Sequence, residues 1–122
     1  MRSRLERVKE LQDRTKRFAV AVVHFCSQMP KTEAARIIGR QLLHVGTSVA
    51  ANYRAACRAR SAADFISKIS VVLEEADETL FWLELLVDAD MIEARLTSSF
   101  SAECHELLKI FSGSLVTAKA NR

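Results

Sequence analysis

The stretch RQLLHVGTSVAANYRAACRARSAADFISKISVVLEEADETLFW, residues 40–82, holds two helical segments of opposite charge joined by a turn. Its first half is basic and its second half acidic, and both carry apolar residues at steps of three and four, the period of an amphipathic helix. Between the halves, Ser61-Ala-Ala-Asp64 has the spacing of a capping box, with Asp in place of the usual Glu or Gln. One helix therefore ends near Arg60 and the next begins at Ala62. The tight turn makes them antiparallel neighbours.

Outward from this pair the same period continues. Leu11, Thr15, Phe18, Val22, Phe25 and Met29 line one side of an earlier helix that Pro30 ends, because proline disfavours helical backbone in the residue before it. Thr32 caps the second helix, with Glu33 in its first turn. After Asp88-Ala89-Asp90 a loop leads to Thr97 or Ser98, and Phe100, Cys104, Leu107, Phe111 and Leu115 form a fourth seam; beyond Gly113 the chain loses definition. The prediction is an all-α, antiparallel up-down four-helix bundle with helices over about 5–29, 32–60, 62–89 and 98–118. Three Gly and one Pro among 122 residues supply too few turns for a many-stranded sheet, and the length suits one domain.

The seam of the second helix, Ile38, Leu42, Val45, Val49, Asn52, Ala56 and Ala59, holds one polar residue where an apolar one is expected. A buried amide without partners costs about 1–3 kcal/mol, so Ser48 one turn back and a polar group on a facing helix are the expected neighbours of Asn52. Gly46 in mid-helix costs about 1 kcal/mol relative to Ala, which close packing against it would offset.

The third helix has a heptad seam of Ala62, Ile66, Ile69, Leu73, Ala76, Leu80, Leu83 and Val87. Opposite it lie Phe65, Val72, Thr79 and Leu86, with Val71 and Leu85 beside them, while Phe81 and Trp82 flank the seam. Two apolar faces on one helix imply burial by a second copy, with Phe65, Val71, Val72, Phe81, Leu85 and Leu86 at the interface. The competing reading is that the bundle itself covers both.

Charge is segregated. Residues 31–60 hold six Lys/Arg against one acid, whereas residues 61–94 hold Lys68 alone against nine acids. Arg36 and Arg54 are five turns apart and share an azimuth, and Arg40 and Arg58 repeat that spacing nearby, giving a basic stripe about 27 Å long. Such a stripe tracks phosphates or pairs with the acidic helix; Arg14, Lys16 and Arg17 add further basic surface.

No catalytic constellation, cofactor motif or metal-ligand spacing occurs. Glu74, Glu75, Asp77 and Glu78 lack a Glu-x-x-His companion, and His24, His44 and His105 stand on separate helices. Cys26, Cys57 and Cys104 are odd in number and far apart, which fits a reducing cytoplasm better than a disulfide framework. Neither a signal peptide nor a membrane span is expected. The chain reads as a non-enzyme.

Three segments, RTKRFAVAVV (residues 14–23), GRQLLHVGTSVAANYRAACRARS (39–61) and FISKISVVLEEADETLFWLELL (65–86), with the Pro30 break between the first two, resemble the four-helix bundle family also called the ribosomal-RNA intervening-sequence protein family. The resemblance implies an up-down bundle assembling into a ring-like homopentamer. It also implies kinship with the accessory variability determinant of diversity-generating retroelements, which binds nucleic acid and a reverse transcriptase. The family's Ser-Val-x-x-Asn core falls on Ser48, Val49 and Asn52, but Ala55 and Ala56 stand where many relatives carry Glu. The expected function is electrostatic binding of RNA or DNA through Arg36, Arg40, Arg54 and Arg58. The alternative is a protein-interaction scaffold whose arginines pair with the third helix's acids.

Overall fold

The computed structural model describes residues 2–122 as four helices, α1 (Arg4–Ser27), α2 (Glu33–Ala56), α3 (Ala62–Asp88) and α4 (Ala94–Ala120), and no strand occurs among them. Short polar side chains fix three of the four starts. Ser3 Oγ accepts the Glu6 N–H at 3.1 Å, Thr32 Oγ1 that of Ala35 at 3.2 Å, and Ser61 Oγ that of Asp64 at 3.0 Å. Each satisfies a donor the helix itself leaves unpaired, worth about 1 kcal/mol. Asp64 Oδ2 in turn accepts the backbone N–H of Arg60 at 3.2 Å, one residue ahead of the usual capping-box partner.

Helix α2 stops at Ala56 rather than at Arg60. The Arg58 and Ala59 N–H groups close turns on the Ala55 and Ala56 carbonyls at 3.0 and 3.1 Å, and the chain then extends into Ser61. Nothing local in Ala55-Ala56-Cys57-Arg58 breaks a helix. The reason is tertiary: helices packed side by side have axes about 8–10 Å apart, and several residues are needed to cross that gap.

Helix α3 ends in a Schellman motif, with the Asp90 N–H on the Val87 carbonyl at 3.0 Å and the Met91 N–H on the Leu86 carbonyl at 2.9 Å. Asp90 has φ 59°, a left-handed conformation that Asp tolerates better than most residues. Met91 tucks against the core and closes the motif. Helix α4 begins at Ala94, ahead of Thr97, and continues past Gly113 to Ala120, because Leu115 remains packed on the core.

Each helix packs on the next in sequence. Along α1 and α2 the contacts run in opposite senses: Gly39 lies by Met29 and Gly46 by Val22. A Cβ at Gly46 would sit 2.8 and 2.9 Å from the Val22 methyl carbons, so this approach requires glycine. Helix α4 meets α1 through Phe100, whose ring takes Phe18 and Phe25 edge-on at 5.7 and 5.3 Å.

The core runs through Leu42, Val49, Ile69, Leu83, Leu107 and Phe111, all essentially inaccessible. Both apolar rows of α3 enter it. Val72, Thr79 and Leu86 are fully buried in the single chain, so Val72 and Leu86 are core residues and not the interface between copies expected from sequence. Packing of α3 against both α2 and α4 is the physical reason. Phe65 and Leu85 are half-buried, whereas Val71 and Phe81 remain 43% and 52% exposed.

Candidate nucleic-acid interface

Apolar spacing on α2 turns Leu42, Val45, Val49 and Tyr53 inward, which leaves Arg36, Arg40 and Arg54 on the outer side. All three are exposed, and among the described residues none forms an ion pair with a carboxylate of the chain. Arg58 is also exposed and unpaired on that basis, but it lies beyond the helix end, so its position follows from the α2–α3 turn and not from helical azimuth. Thr47 and Ala51 separate the charges, and Thr47 turns its hydroxyl back onto the Leu43 carbonyl at 2.7 Å.

The basic residues of α1 divide. Lys16 and Arg17 face solvent. Arg14 does not belong with them: its Nε and Nη2 each donate at 2.7 Å to a different carboxylate oxygen of Glu103 on α4. This two-pronged pair holds the guanidinium above its ordinary range, chiefly through the hydrogen bond to Glu103, against the desolvation that opposes it. Arg14 is a tie between α1 and α4. Arg17 lines a shallow groove beside it, about 300 Å³ in volume, with Phe18 and Phe100.

Asn52 is half-buried, and its Nδ2 donates to Glu75 Oε1 on α3 at 2.7 Å. The polar partner expected on a facing helix is thus a carboxylate, supplied from α3 although Ala55 and Ala56 remove any acid just after the asparagine. Ser48 is half-buried one turn back. Glu75 was legible only as one acid in a run of them; its position beside Ala76, which is buried, is the signal that marks it.

The outer face of α3 mixes Val71 and Phe81 with Glu74, Asp77, Glu78 and Glu84, all exposed. Trp82 stacks edge-on to Phe81 at 5.1 Å, and its Nε1 is buried without a hydrogen-bond partner among the described residues.

The thiols offer no nucleophile in the core. Burial pushes Cys104 up to about 12 and Cys26 up to about 11, and their Sγ–H groups donate to the Ala76 and Gly39 carbonyls. No three of His, Cys, Asp or Glu gather closely enough to hold a metal among the described residues, and no described helix is long and apolar enough to cross a membrane.

Sequence reasoning did not anticipate a cavity of about 1010 Å³ at the end of the bundle where the α1 start, the α2–α3 turn and the α4 end converge. Arg4, Arg7 and Arg60 stand on its lining. Only the assembled fold brings together residues this far apart in sequence.

Comparison with curated proteins gives no match. Among solved structures, the chain is similar to a protein of unknown function from the S23 ribosomal protein family of Bacteroides thetaiotaomicron, with 32% identity, a TM-score of 0.82, and coverage of 88% of this chain and 96% of that one. The family profile described as 23S rRNA-intervening sequence protein matches residues 9–113, which take in α2 and α3 whole and most of α1 and α4. With its helical body matched in this way, the chain belongs to the 23S rRNA-intervening sequence protein family.

Proposed function

We propose that this chain is a non-enzymatic, self-associating accessory or scaffold protein that holds RNA or DNA through its phosphates. The observation that carries the reading is the outward row of Arg36, Arg40 and Arg54 on α2, with Arg58 on the turn that follows, all exposed and unpaired within the chain among the described residues. Guanidinium groups spaced along a helix contact phosphate oxygens without reading base sequence, and each displaces condensed counterions. Lys16 and Arg17 extend the basic surface, whereas Arg14 is committed to Glu103.

Self-association in this reading uses the outer face of α3, where Val71 and Phe81 leave apolar surface exposed, with Leu85 beside them. An antiparallel up-down bundle repeated in a ring-like homopentamer, the arrangement the family resemblance implies, would repeat the arginine row around one assembly. A reverse-transcriptase-like protein is the further partner that resemblance implies, and the setting proposed is cytoplasmic.

A second reading rests on the same α3 face. Its acids Glu74, Asp77 and Glu78 surround the exposed Val71 and Phe81, a pattern complementary to the α2 arginines of another copy. The protein is then an interaction scaffold with no nucleic-acid role. Sedimentation velocity, with binding to a mixed-sequence RNA titrated against salt, separates the two. The proposal expects an oligomer that binds RNA with affinity falling steeply as salt rises; an oligomer without RNA or DNA affinity favours the scaffold.

A further inference from the structure

We propose that the end cavity is a binding site for a small soluble anion with an apolar body, such as a single-chain alkyl phosphate or carboxylate. Its volume of about 1010 Å³ lies at the upper end of the roughly 300–1,000 Å³ range typical of small-molecule sites. The lining mixes two chemistries. Tyr53, Ala56 and Phe65 supply apolar lining, Arg4, Arg7 and Arg60 supply cationic lining, and no carboxylate side chain lines the cavity.

Charge balance points to an anion. None of the three arginines is ion-paired among the described residues. The nearby acid, Asp64, is engaged by Lys68 Nζ at 2.7 Å through both of its oxygens. Arg7 Nη1 donates to the Arg2 carbonyl at 2.9 Å, which uses one of its five donors, and Arg60 feels the charge of Asp64 without pairing with it; guanidinium groups that no carboxylate engages directly favour phosphate or carboxylate oxygens, which they meet two-pronged. The apolar lining points to a tail. Leu5 lines the cavity yet is 82% exposed, so a hydrocarbon body lying there would remove its surface from water. The site is separate from the α2 row, since none of Arg36, Arg40, Arg54 or Arg58 lines it.

Isothermal titration with dodecyl phosphate below its micelle concentration tests the site. The expected result is saturable binding, one molecule per chain, with a dissociation constant on the order of 10 μM. Dodecyl maltoside, uncharged, and inorganic phosphate, without a tail, should each bind at least about tenfold more weakly. The combined R4A/R7A/R60A variant should lose about tenfold or more while its circular dichroism is unchanged, since all three side chains are exposed. Ala118→Phe, which adds bulk to the lining, should also block binding. Equal affinity for dodecyl maltoside, an unaltered constant in the triple variant, or no saturable binding would overturn the proposal. So would recruitment to phosphatidate-containing vesicles without binding of free dodecyl phosphate, which assigns the arginines to a membrane surface.

Discussion

Asn52 on α2 and Glu75 on α3 form a half-buried hydrogen bond of 2.7 Å that joins the basic helix to the acidic one. The carboxylate gains an amide donor, and the amide, set in an otherwise apolar seam, is spared an unmet donor. This is the polar point of contact between the two helices that define the fold.

Removing both members of the pair should therefore cost less than the two single removals added together. Glu75→Ala leaves Asn52 Nδ2 without its partner and should destabilise by about 1–3 kcal/mol. The double variant N52A/E75A should lose less than the sum of the single changes, with a coupling of about 0.5–3 kcal/mol. Urea denaturation of the four proteins measures this, and strict additivity would deny the bond any energetic role.

Gly46 shows how a residue unfavourable to a helix is retained for packing. Gly46→Ala gains about 1 kcal/mol of helix propensity. Its new methyl, however, would stand 2.8 and 2.9 Å from the Val22 methyl carbons. Overpacking of this kind costs about 1–3 kcal/mol, so the net change should be destabilising by up to about 2 kcal/mol. Val22→Ala removes the obstructing carbons, and G46A should be stabilising, or at least neutral, in that background. A melting temperature raised by G46A in the wild-type chain would show that the helices separate freely.

The start of α3 should respond to acid. Hydrogen bonds from Lys68, and then from the Arg60 backbone, hold the Asp64 carboxyl below the usual aspartate range. A group with a lowered folded value stabilises fully above its unfolded value of about 3.9 and loses that contribution as pH falls through the folded value. Stability measured from about pH 5 downward should thus fall less steeply in Asp64→Asn than in the wild type. Parallel curves would mean that the cap carries no charge-dependent energy.

Much of this architecture was legible in the chain because its cues are local. Pro30, Thr32 and Ser61 mark ends or beginnings through backbone chemistry confined to a few residues, and the period of apolar residues gives four helices. What local cues leave open depends on neighbours. The end of α2 at Ala56 is set by the span to α3, a distance that no property of Cys57 or Arg58 encodes. Val72 and Leu86 had the right character for an interface, but an α4 packed on α3 makes their row interior. Arg14 looked like its basic neighbours Lys16 and Arg17 until α4 placed Glu103 opposite it. The Asn52 partner was foreseeable as a polar group on a facing helix, whereas its identity as Glu75 needed the register between α2 and α3.

The proposed role of the outward arginines of α2 is to meet phosphate. Its most direct measurement is the salt dependence of RNA affinity for the wild type and for R36A/R40A/R54A, with sedimentation on both and Arg14→Ala as a control. Each lost phosphate contact should lower the magnitude of the log–log slope by about 0.7–0.9, while the triple variant keeps its mass and Arg14→Ala keeps its slope. An unchanged slope, or a triple variant that binds RNA as before yet falls apart into single chains, would contradict the claim and assign those arginines to contacts between copies.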